Sequence, residues 1–209
     1  FPSVCPPTLV SRRSDELRRE AERAQLLAVR AHLDPHFLFN TLNAIAEWCR
    51  TDGAIAEEAI VRLAGMLRTI LAGVRAPAWP LADELALCEA LFAMHRLRDP
   101  ALFTVTRTVA DDVDAARIAV PPMLLLPLAE NAVKHGPGRG ARGDIALTVR
   151  RADSDLVVRL ESPGAFLGRR PGGEGLAMIE QRLALAYGAR GRLDIAGVGD
   201  HTRVELVLP

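Results

Sequence analysis

The sequence contains few aromatic residues and no excess of charge of either sign. Phe, Trp and Tyr account for 4% of the 209 residues, whereas 49% are hydrophobic, so Leu, Val, Ile and Ala must build the core. Lys and Arg together number 26, as do Asp and Glu, which gives a formal net charge of zero. Because no basic field surrounds such a chain, its charge gives no argument for binding to nucleic acid or to an anionic membrane. We therefore expect no nucleic-acid partner.

Cysteine is scarce as well, and long apolar runs are absent. Cys5, Cys49 and Cys88 are odd in number and widely spaced, which fits neither a disulfide framework nor a metal site and favours a reducing, cytoplasmic location. The longest apolar run, residues 120–129, contains three prolines and is too short to cross a bilayer. The chain begins at Phe1 and shows no secretory signal. We expect a fragment, with membrane contact only through a segment of a longer parent protein.

Two amphipathic helical patterns occupy the N-terminal part of the chain. After residues 1–13, which we interpret as a linker or a disordered end, a helix is predicted from about Ser14 to Arg50, and a second helix follows a turn at 51–53. Because one antiparallel hairpin cannot cover both faces of its apolar seam, we expect residues 14–76 to form a four-helix bundle by homodimerisation. The seam residues recur with alternating four-three spacing: Leu17, Ala21, Ala24, Ala28, Ala31, Leu38, Leu42, Ile45 and Cys49, then Ile60, Leu63, Leu67, Ile70 and Val74.

Residues 35–40 (PHFLFN) make His36 the most conspicuous residue of the first helix. Pro35 cannot donate a backbone hydrogen bond, so the helix should kink or loosen just before His36. We expect His36 to point towards solvent, with Asn40 on the same face one turn later. A titratable imidazole beside a helix defect is a candidate nucleophile, although a lone helical histidine is more often structural or incidental.

Beyond residues 76–80 (APAWP), which mark a domain boundary, strand and helix patterns alternate. Helices are predicted at 81–97, 121–134 and 176–187, and strands at 102–106, 144–150, 156–160, 192–196 and 203–208. The fold class is therefore α+β, with residues 77–209 forming a sandwich of an antiparallel or mixed sheet and helices on one face.

A polar cluster ends the apolar helix predicted at 121–134. Glu130, Asn131 and Lys134 fall within one turn, and His135 follows. A carboxylate, an amide oxygen, an ammonium and an imidazole suit a hydrated Mg²⁺ and phosphate oxygens. A polar last turn meeting solvent explains the same residues, because the helix dipole favours Lys134 and His135 there.

Glycines, among them Gly173 and Gly175, precede the helix that runs from Leu176. Amides at a helix N-terminus bind anions, and glycines let a phosphate approach closely. The spacing is neither that of a Rossmann turn nor that of a Walker A loop, and most glycine clusters are merely flexible turns. Arg169 and Arg170 fit a mobile lid over a nucleotide, or a solvated loop.

One further carboxylate stands at the end of a predicted strand. Glu161 could accept a hydrogen bond from the exocyclic amine of adenine, and Thr202, near the start of the last strand, could assist.

Taken together, these segments resemble the LytS type of sensor histidine kinase. Residues 31–43 (AHLDPHFLFNTLN) resemble the phosphoacceptor box of that family, residues 81–85 (LADEL) its pre-catalytic helix, and residues 121–136 (PPMLLLPLAENAVKHG) its N-box. Residues 173–176 (GEGL), with 182–183 and 187–188 behind them, resemble its glycine box and the following helix. The resemblance extends from about residue 15 to residue 209.

The resemblance implies a phosphotransfer hairpin followed by a Bergerat-type ATP-binding domain of the gyrase, histidine kinase and MutL superfamily. It implies autophosphorylation of His36 with ATP and Mg²⁺, and transfer of the phosphoryl group to an aspartate of a response-regulator receiver domain. By the same analogy Asn131 holds Mg²⁺, while Glu130 or Asn40 orients or deprotonates His36. The other nucleotide contacts it implies are Lys134, His135, Glu161, Gly173, Gly175, Leu176 and Thr202.

The sequence departs from the family pattern at several nucleotide positions. Glu161 stands where Asp is typical, Pro163 replaces a glycine, and Met178 occupies a position usually held by Asn. These departures leave a second hypothesis open: a degenerate kinase that serves as a dimeric scaffold or nucleotide-sensing partner without phosphotransfer.

Overall fold

The structure, a computed structural model, describes residues 35–73, 76–168 and 174–209. The linker predicted at 1–13 and the first part of the helix predicted from Ser14 lie outside the described residues. Among the helices that are described, none has the length and apolarity that crossing a membrane requires.

The first two described helices are α1 (Pro35–Thr51) and α2 (Gly53–Gly73), which confirms the two helices predicted for this region. Asp52 separates them and caps α2, because its Oδ1 accepts hydrogen bonds from the amides of Ala54 and Ile55, each at 3.1 Å. The predicted seam is only partly buried in the single chain. Ile45, Leu63 and Ile70 are buried, whereas Leu42 and Ile60 are exposed.

The rest of the chain is a mixed α+β layer structure. Its helices are α3 (Leu81–Arg98), α4 (Leu126–His135) and α5 (Glu174–Tyr187), with short 3₁₀ turns at Pro137–Arg139 and Gly188–Arg190. Its strands are β1 (Trp79–Pro80), β2 (Thr104–Val109), β3 (Ala119–Val120), β4 (Asp144–Ala152), β5 (Asp155–Pro163), β6 (Arg192–Val198) and β7 (His201–Leu208).

Five strands form one sheet in the order β2-β4-β5-β7-β6, and β1 pairs with β3 separately. Only the β2–β4 pair is parallel within the described sheet, so the sheet is mixed. The β4–β5 hairpin turns at residues 153–154, as the sequence predicts, and Asp153 takes the left-handed conformation there (φ 54°). Leu147, Leu160 and Leu206 face the helices as part of the core.

The helix predicted at 121–134 begins later than expected, at Leu126. Met123 adopts a left-handed backbone conformation (φ 59°), so it cannot be part of a right-handed helix. Two adjacent prolines, Pro121 and Pro122, also lack amide donors for a helical ladder. The prediction was wrong for residues 121–125, which form a turn, and only Pro127 lies in the first turn of the helix.

One cluster of buried apolar side chains extends through the whole described fold. It contains Ile45 and Ile70 from the hairpin, Leu91 from α3, Leu126 from α4 and Leu160 from the sheet. The hairpin packs closely at its end, because a Cβ added to Gly73 would lie 2.6 Å from the Trp79 ring. The hairpin therefore docks on the sandwich in the described chain.

Candidate functional site

A buried carboxylate anchors the start of α4, the helix that carries the polar cluster. Glu84 of α3 is fully buried, and it accepts hydrogen bonds from the Trp79 indole nitrogen at 2.8 Å and the Leu125 amide at 2.6 Å. Leu125 directly precedes α4, so the carboxylate satisfies an amide that the helix itself leaves unpaired. Burial raises the pKa of Glu84, and the hydrogen bond from the Leu125 amide opposes that rise. This role was missed at the sequence level, where Glu84 entered only as part of residues 81–85.

Arg182 of α5 ties the same turn to the glycine-flanked helix. Its guanidinium donates to the carbonyl oxygens of Pro122, at 2.8 Å, and Met123. Another nitrogen lies 3.3 Å from the sulfur of Met178, one helical turn away. Burial lowers the pKa of Arg182, and Glu84 opposes that change. The start of α4 is thereby fixed from α3 and α5 together.

A cavity of about 460 Å³ separates the start of α1 from α4. It brings together residues from distant parts of the sequence, because Asn40 of α1 lines it together with Glu130 and Lys134 of α4. Its further lining comes mainly from the end of α3 and the loop after it: Met94, His95, Arg98, Asp99 and Leu102, with Phe37, Thr41, Val133 and Gly138.

Two aromatic rings hold α1 at the edge of this cavity. The centroids of Phe37 and His95 lie 5.2 Å apart with the ring planes tilted by 39°. Phe37 is buried, and Thr41 on the next turn is buried as well. Burial lowers the pKa of His95 to about 4, with the Arg98 charge acting in the same direction. His95 is therefore an uncharged ring at neutral pH. His36 is the second residue of α1, and its side chain lies outside what the structure describes.

Asn131 of α4 faces a different neighbour. The Asn131 amide nitrogen lies 3.8 Å from the position that a Cβ on Gly175 would occupy, so Asn131 meets the first turn of α5. The backbone amides of such a turn favour anions, and a side-chain amide can bind a cation through its oxygen or a phosphate through its nitrogen. Leu176, the next residue, packs partly buried against the core.

The end of α4 also approaches the end of β5 very closely. A Cβ on Gly136 would lie 2.3 Å from the carbonyl oxygen of Pro163, so only glycine fits there. Gly164 has a φ of 108°, and a Cβ on it would lie 3.2 Å from the His135 carbonyl oxygen. These two glycines place the last turn of α4, including His135, against the edge of the sheet.

The strand-end residues predicted to contact adenine separate onto two faces of the sheet. Glu161 pairs in register with Arg203 and accepts a hydrogen bond from its guanidinium, on the face opposite the buried Leu160. Thr202 lies on the helix-facing side, opposite Ser162, and its hydroxyl donates to the Gly164 carbonyl at 2.8 Å. Ser162 is 5% exposed and was missed at the sequence level; strand alternation, counted back from Leu160, was the signal that could have found it.

The structure thus groups the predicted residues around α4. Asn40, Glu130 and Lys134 share the cavity; Asn131, Gly175 and Leu176 meet at the start of α5; His135 and Thr202 flank Gly164. Glu161 lies apart from these groups. Gly173, Arg169 and Arg170 are outside the described residues. No cluster of three His, Cys, Asp or Glu side chains suited to a metal occurs in the described part of the chain.

Comparison with known proteins identifies relatives of this arrangement. Residues 24–101 match the histidine kinase family. The chain is 27% identical over 213 residues to the sensor protein LytS of Oceanobacillus iheyensis, covering 94% of this chain and 36% of that protein. It is 28% identical over 202 residues to LytS of Bacillus subtilis, covering 89% and 34%. The chain therefore spans about a third of the length of the curated relatives it matches.

A solved structure agrees on the fold. The histidine kinase domain of the blue-light activated histidine kinase EL346 from Erythrobacter litoralis superposes with a TM-score of 0.50 at 17% identity. The match covers 89% of this chain and 93% of that domain. The α+β architecture predicted from the sequence, a helical hairpin followed by an α/β sandwich, is thereby confirmed.

Proposed function

Because this chain is a relative of the LytS-type sensor histidine kinases, we propose that it is a transmitter region with protein-histidine kinase activity. It phosphorylates itself on His36 from ATP and then passes the phosphoryl group to an aspartate of a response-regulator receiver domain. The observation that carries the proposal is the cavity that joins α1, one turn beyond His36, to Glu130 and Lys134 of α4. As part of the proposal, residues 14–76 form the dimerisation and phosphotransfer unit, 77–209 the ATP-binding domain, and 1–13 a linker.

The residues around α4 fit ATP and Mg²⁺. Asn131 supplies one amide oxygen, and Mg²⁺ commonly takes one or two protein ligands plus water and substrate phosphates. The absence of a larger carboxylate or histidine cluster in the described chain is compatible with that coordination. Lys134, His135 and the amides around Gly175 supply positive charge and donors for the phosphates. When bound, Mg²⁺ neutralises phosphate charge.

The chain's own contribution is to position and deprotonate the acceptor. A bond forms between an imidazole nitrogen of His36 and the γ-phosphorus, and the bond from that phosphorus to its bridging oxygen breaks, releasing ADP with the electron pair. The imidazole proton must leave. Glu130 is a base of the right kind in the shared cavity, and Asn40 can orient the ring by a hydrogen bond. Attack of an aspartate oxygen of the receiver domain later breaks the phosphorus–nitrogen bond and regenerates His36.

The exposed apolar residues of the hairpin support a homodimer. Phe39 and Leu42 on α1 are 67% and 52% exposed, and Ile60 and Val61 on α2 are 49% and 64% exposed. Apolar side chains at such spacing on neighbouring helices are typical of a bundle face that a second copy covers.

A second candidate function, a dimeric scaffold or nucleotide-sensing partner without phosphotransfer, is favoured by one observation. The carboxylate of Glu161 is engaged by Arg203 on the face of the sheet away from α4, so the acidic adenine contact of the family pattern is absent from the site.

Incubation with γ-labelled ATP and Mg²⁺, beside the His36→Gln variant, separates the two. If the protein is a histidine kinase, we expect stoichiometric label that is acid-labile, alkali-stable and lost in His36→Gln. Label that persists in the variant would contradict His36 as the acceptor. Absence of label with calorimetric Mg-ATP binding would favour a nucleotide-sensing partner, and absence of both would favour a scaffold.

A further inference from the structure

We infer that autophosphorylation takes place within one chain: the nucleotide held by α4 and α5 of a protomer phosphorylates His36 of that same protomer. This rests on the proposed function, which leaves transfer within a chain and transfer between the two chains of a dimer equally open. The juxtaposition that carries it is the cavity shared by α1 and α4 of a single chain.

Helix α1 docks against the cavity that it shares with α4 of the same chain. Phe37, Asn40 and Thr41, the residues that follow His36 within about the next turn and a half, all line the cavity on whose far side Glu130 and Lys134 lie. The acceptor segment is therefore held beside the nucleotide helix of its own chain.

Buried side chains hold α1 in this docked position. Phe37 is 8% exposed and contacts the His95 ring, Thr41 is 4% exposed, and Ile45 one turn later is 7% exposed. Since His95 is neutral at physiological pH, the contact joins two uncharged rings at a largely desolvated edge. This is packing of the kind found in a core, with no charge pair that salt would screen.

A different side of α1 is exposed and available to a second copy of the chain. Phe39 and Leu42, which are exposed, do not line the cavity. A second copy that covers them occupies a different side of α1 from the one that meets α4. For transfer between chains, the resident α1 would have to leave the cavity and expose Phe37 and Ile45 so that the partner's segment could enter.

The test uses mixed dimers of two variants that are inactive for opposite reasons. One chain carries His36→Gln and keeps its nucleotide site; the other carries Asn131→Ala and keeps its acceptor. Different affinity tags allow tandem purification of dimers that contain one chain of each kind.

Transfer within a chain predicts no more label in the mixed dimer than in the two parent variants. Transfer between chains predicts about half of the wild-type label, all of it on the Asn131→Ala chain, because one acceptor of two is served. The second result would overturn the inference and leave the kinase activity standing. An unlabelled wild type would instead refute the proposed function itself. Should the protein be monomeric, a labelling rate per chain that is independent of protein concentration supports the inference, and a rate per chain that rises with concentration overturns it.

The docking contact provides an independent readout. His95→Ala should slow transfer at saturating ATP about 10-fold without changing the ATP affinity, because displacement of the acceptor costs rate and leaves ground-state nucleotide binding intact. His95→Phe, which retains a ring against Phe37, should restore most of the rate. An unchanged rate in His95→Ala would mean that the docked position of α1 is not the reactive one.

Discussion

Helix α4 has two polar sides, one facing the cavity and α1 and the other facing α5. The two sides have different neighbours, although adjacent residues of the helix supply them. Glu130 lines the cavity towards α1, whereas Asn131 meets the start of α5. Successive residues of a helix are rotated by about 100°, so a single helix can present one residue to an acceptor and the next to a nucleotide. Under the proposed function, α4 is therefore the element that links the acceptor helix to the nucleotide site.

The two sides also differ in what holds them together. The cavity side depends on side-chain packing, above all the contact between Phe37 and His95. On the α5 side, Asn131 meets the first turn of α5 near Gly175, and Arg182 of α5 holds the turn before α4 through the carbonyl oxygens of Pro122 and Met123. We therefore expect substitutions on the two sides to affect different measurable quantities.

The largest expected effect is on Mg-ATP affinity, where we compare Asn131→Ala with Glu130→Gln. Under the proposed function, loss of the Asn131 amide should weaken Mg-ATP binding about 100-fold, because the amide is the proposed contact to the metal and the phosphates. Glu130→Gln should change the affinity less than about threefold and slow label transfer at saturating ATP about 10- to 100-fold, through loss of the base. Calorimetry and single-turnover labelling measure the two quantities. If Glu130→Gln weakened ATP binding as much as Asn131→Ala does, the two sides of α4 would not be functionally distinct.

A smaller effect should appear in the pH dependence of stability on the cavity side. The pKa of His95 is about 4 in the fold and about 6.5 in the unfolded chain, so the unfolded state binds the proton more readily. Stability contributed by the neutral ring is therefore present above about pH 6.5 and declines as the pH falls towards about 4, by roughly 1–2 kcal/mol.

Urea unfolding at the two ends of that pH window measures this decline. His95→Phe should flatten it, because the phenyl ring retains the packing against Phe37 and carries no titratable group. An equal decline in wild type and His95→Phe would show that other groups dominate acid destabilisation.

The smallest effect is expected from Glu161→Gln. Its carboxylate pairs with Arg203 where both side chains are about one-third exposed, and such pairs contribute less than about 1 kcal/mol. Because Glu161 faces away from α4, Mg-ATP affinity should stay within about twofold of wild type, a difference close to the error of one binding measurement. Ser162→Ala, one residue on and facing the helices, should weaken binding more. The reverse ranking would place the adenine contact on the outer face of the sheet.

Much of the fold followed from periodicity because its elements are long and regular. The end of the first hairpin helix, α3 with Leu85 and Leu91 buried, and the strands around Leu147 and Leu160 were all predicted within a few residues. The start of α4 was not, because a left-handed Met123 and the capture of the Leu125 amide by Glu84 depend on residues distant in sequence.

The candidate site shows the same division. The motif resemblance predicted roles for His36, Asn131 and Lys134 and a strand-end contact at Glu161, but it does not tell which face of the sheet a strand residue occupies. Register with β7 decides that question, since Glu161 lies opposite Arg203 and Ser162 opposite Thr202. A shift of one residue along a strand reverses the face, and sequence similarity alone does not resolve it.

Apolar periodicity and motif spacing are local properties of the chain, so the helices, the strands and the order of the polar groups could be predicted without a structure. Which of those groups lie close together depends on the tertiary fold. The docking of α1 through Phe37 and His95 places Asn40 and Glu130, which are distant in sequence, around one cavity, and the buried Glu84 binds the amide that precedes α4. Such contacts depend on packing and desolvation, which arise only when distant segments exclude water from one another.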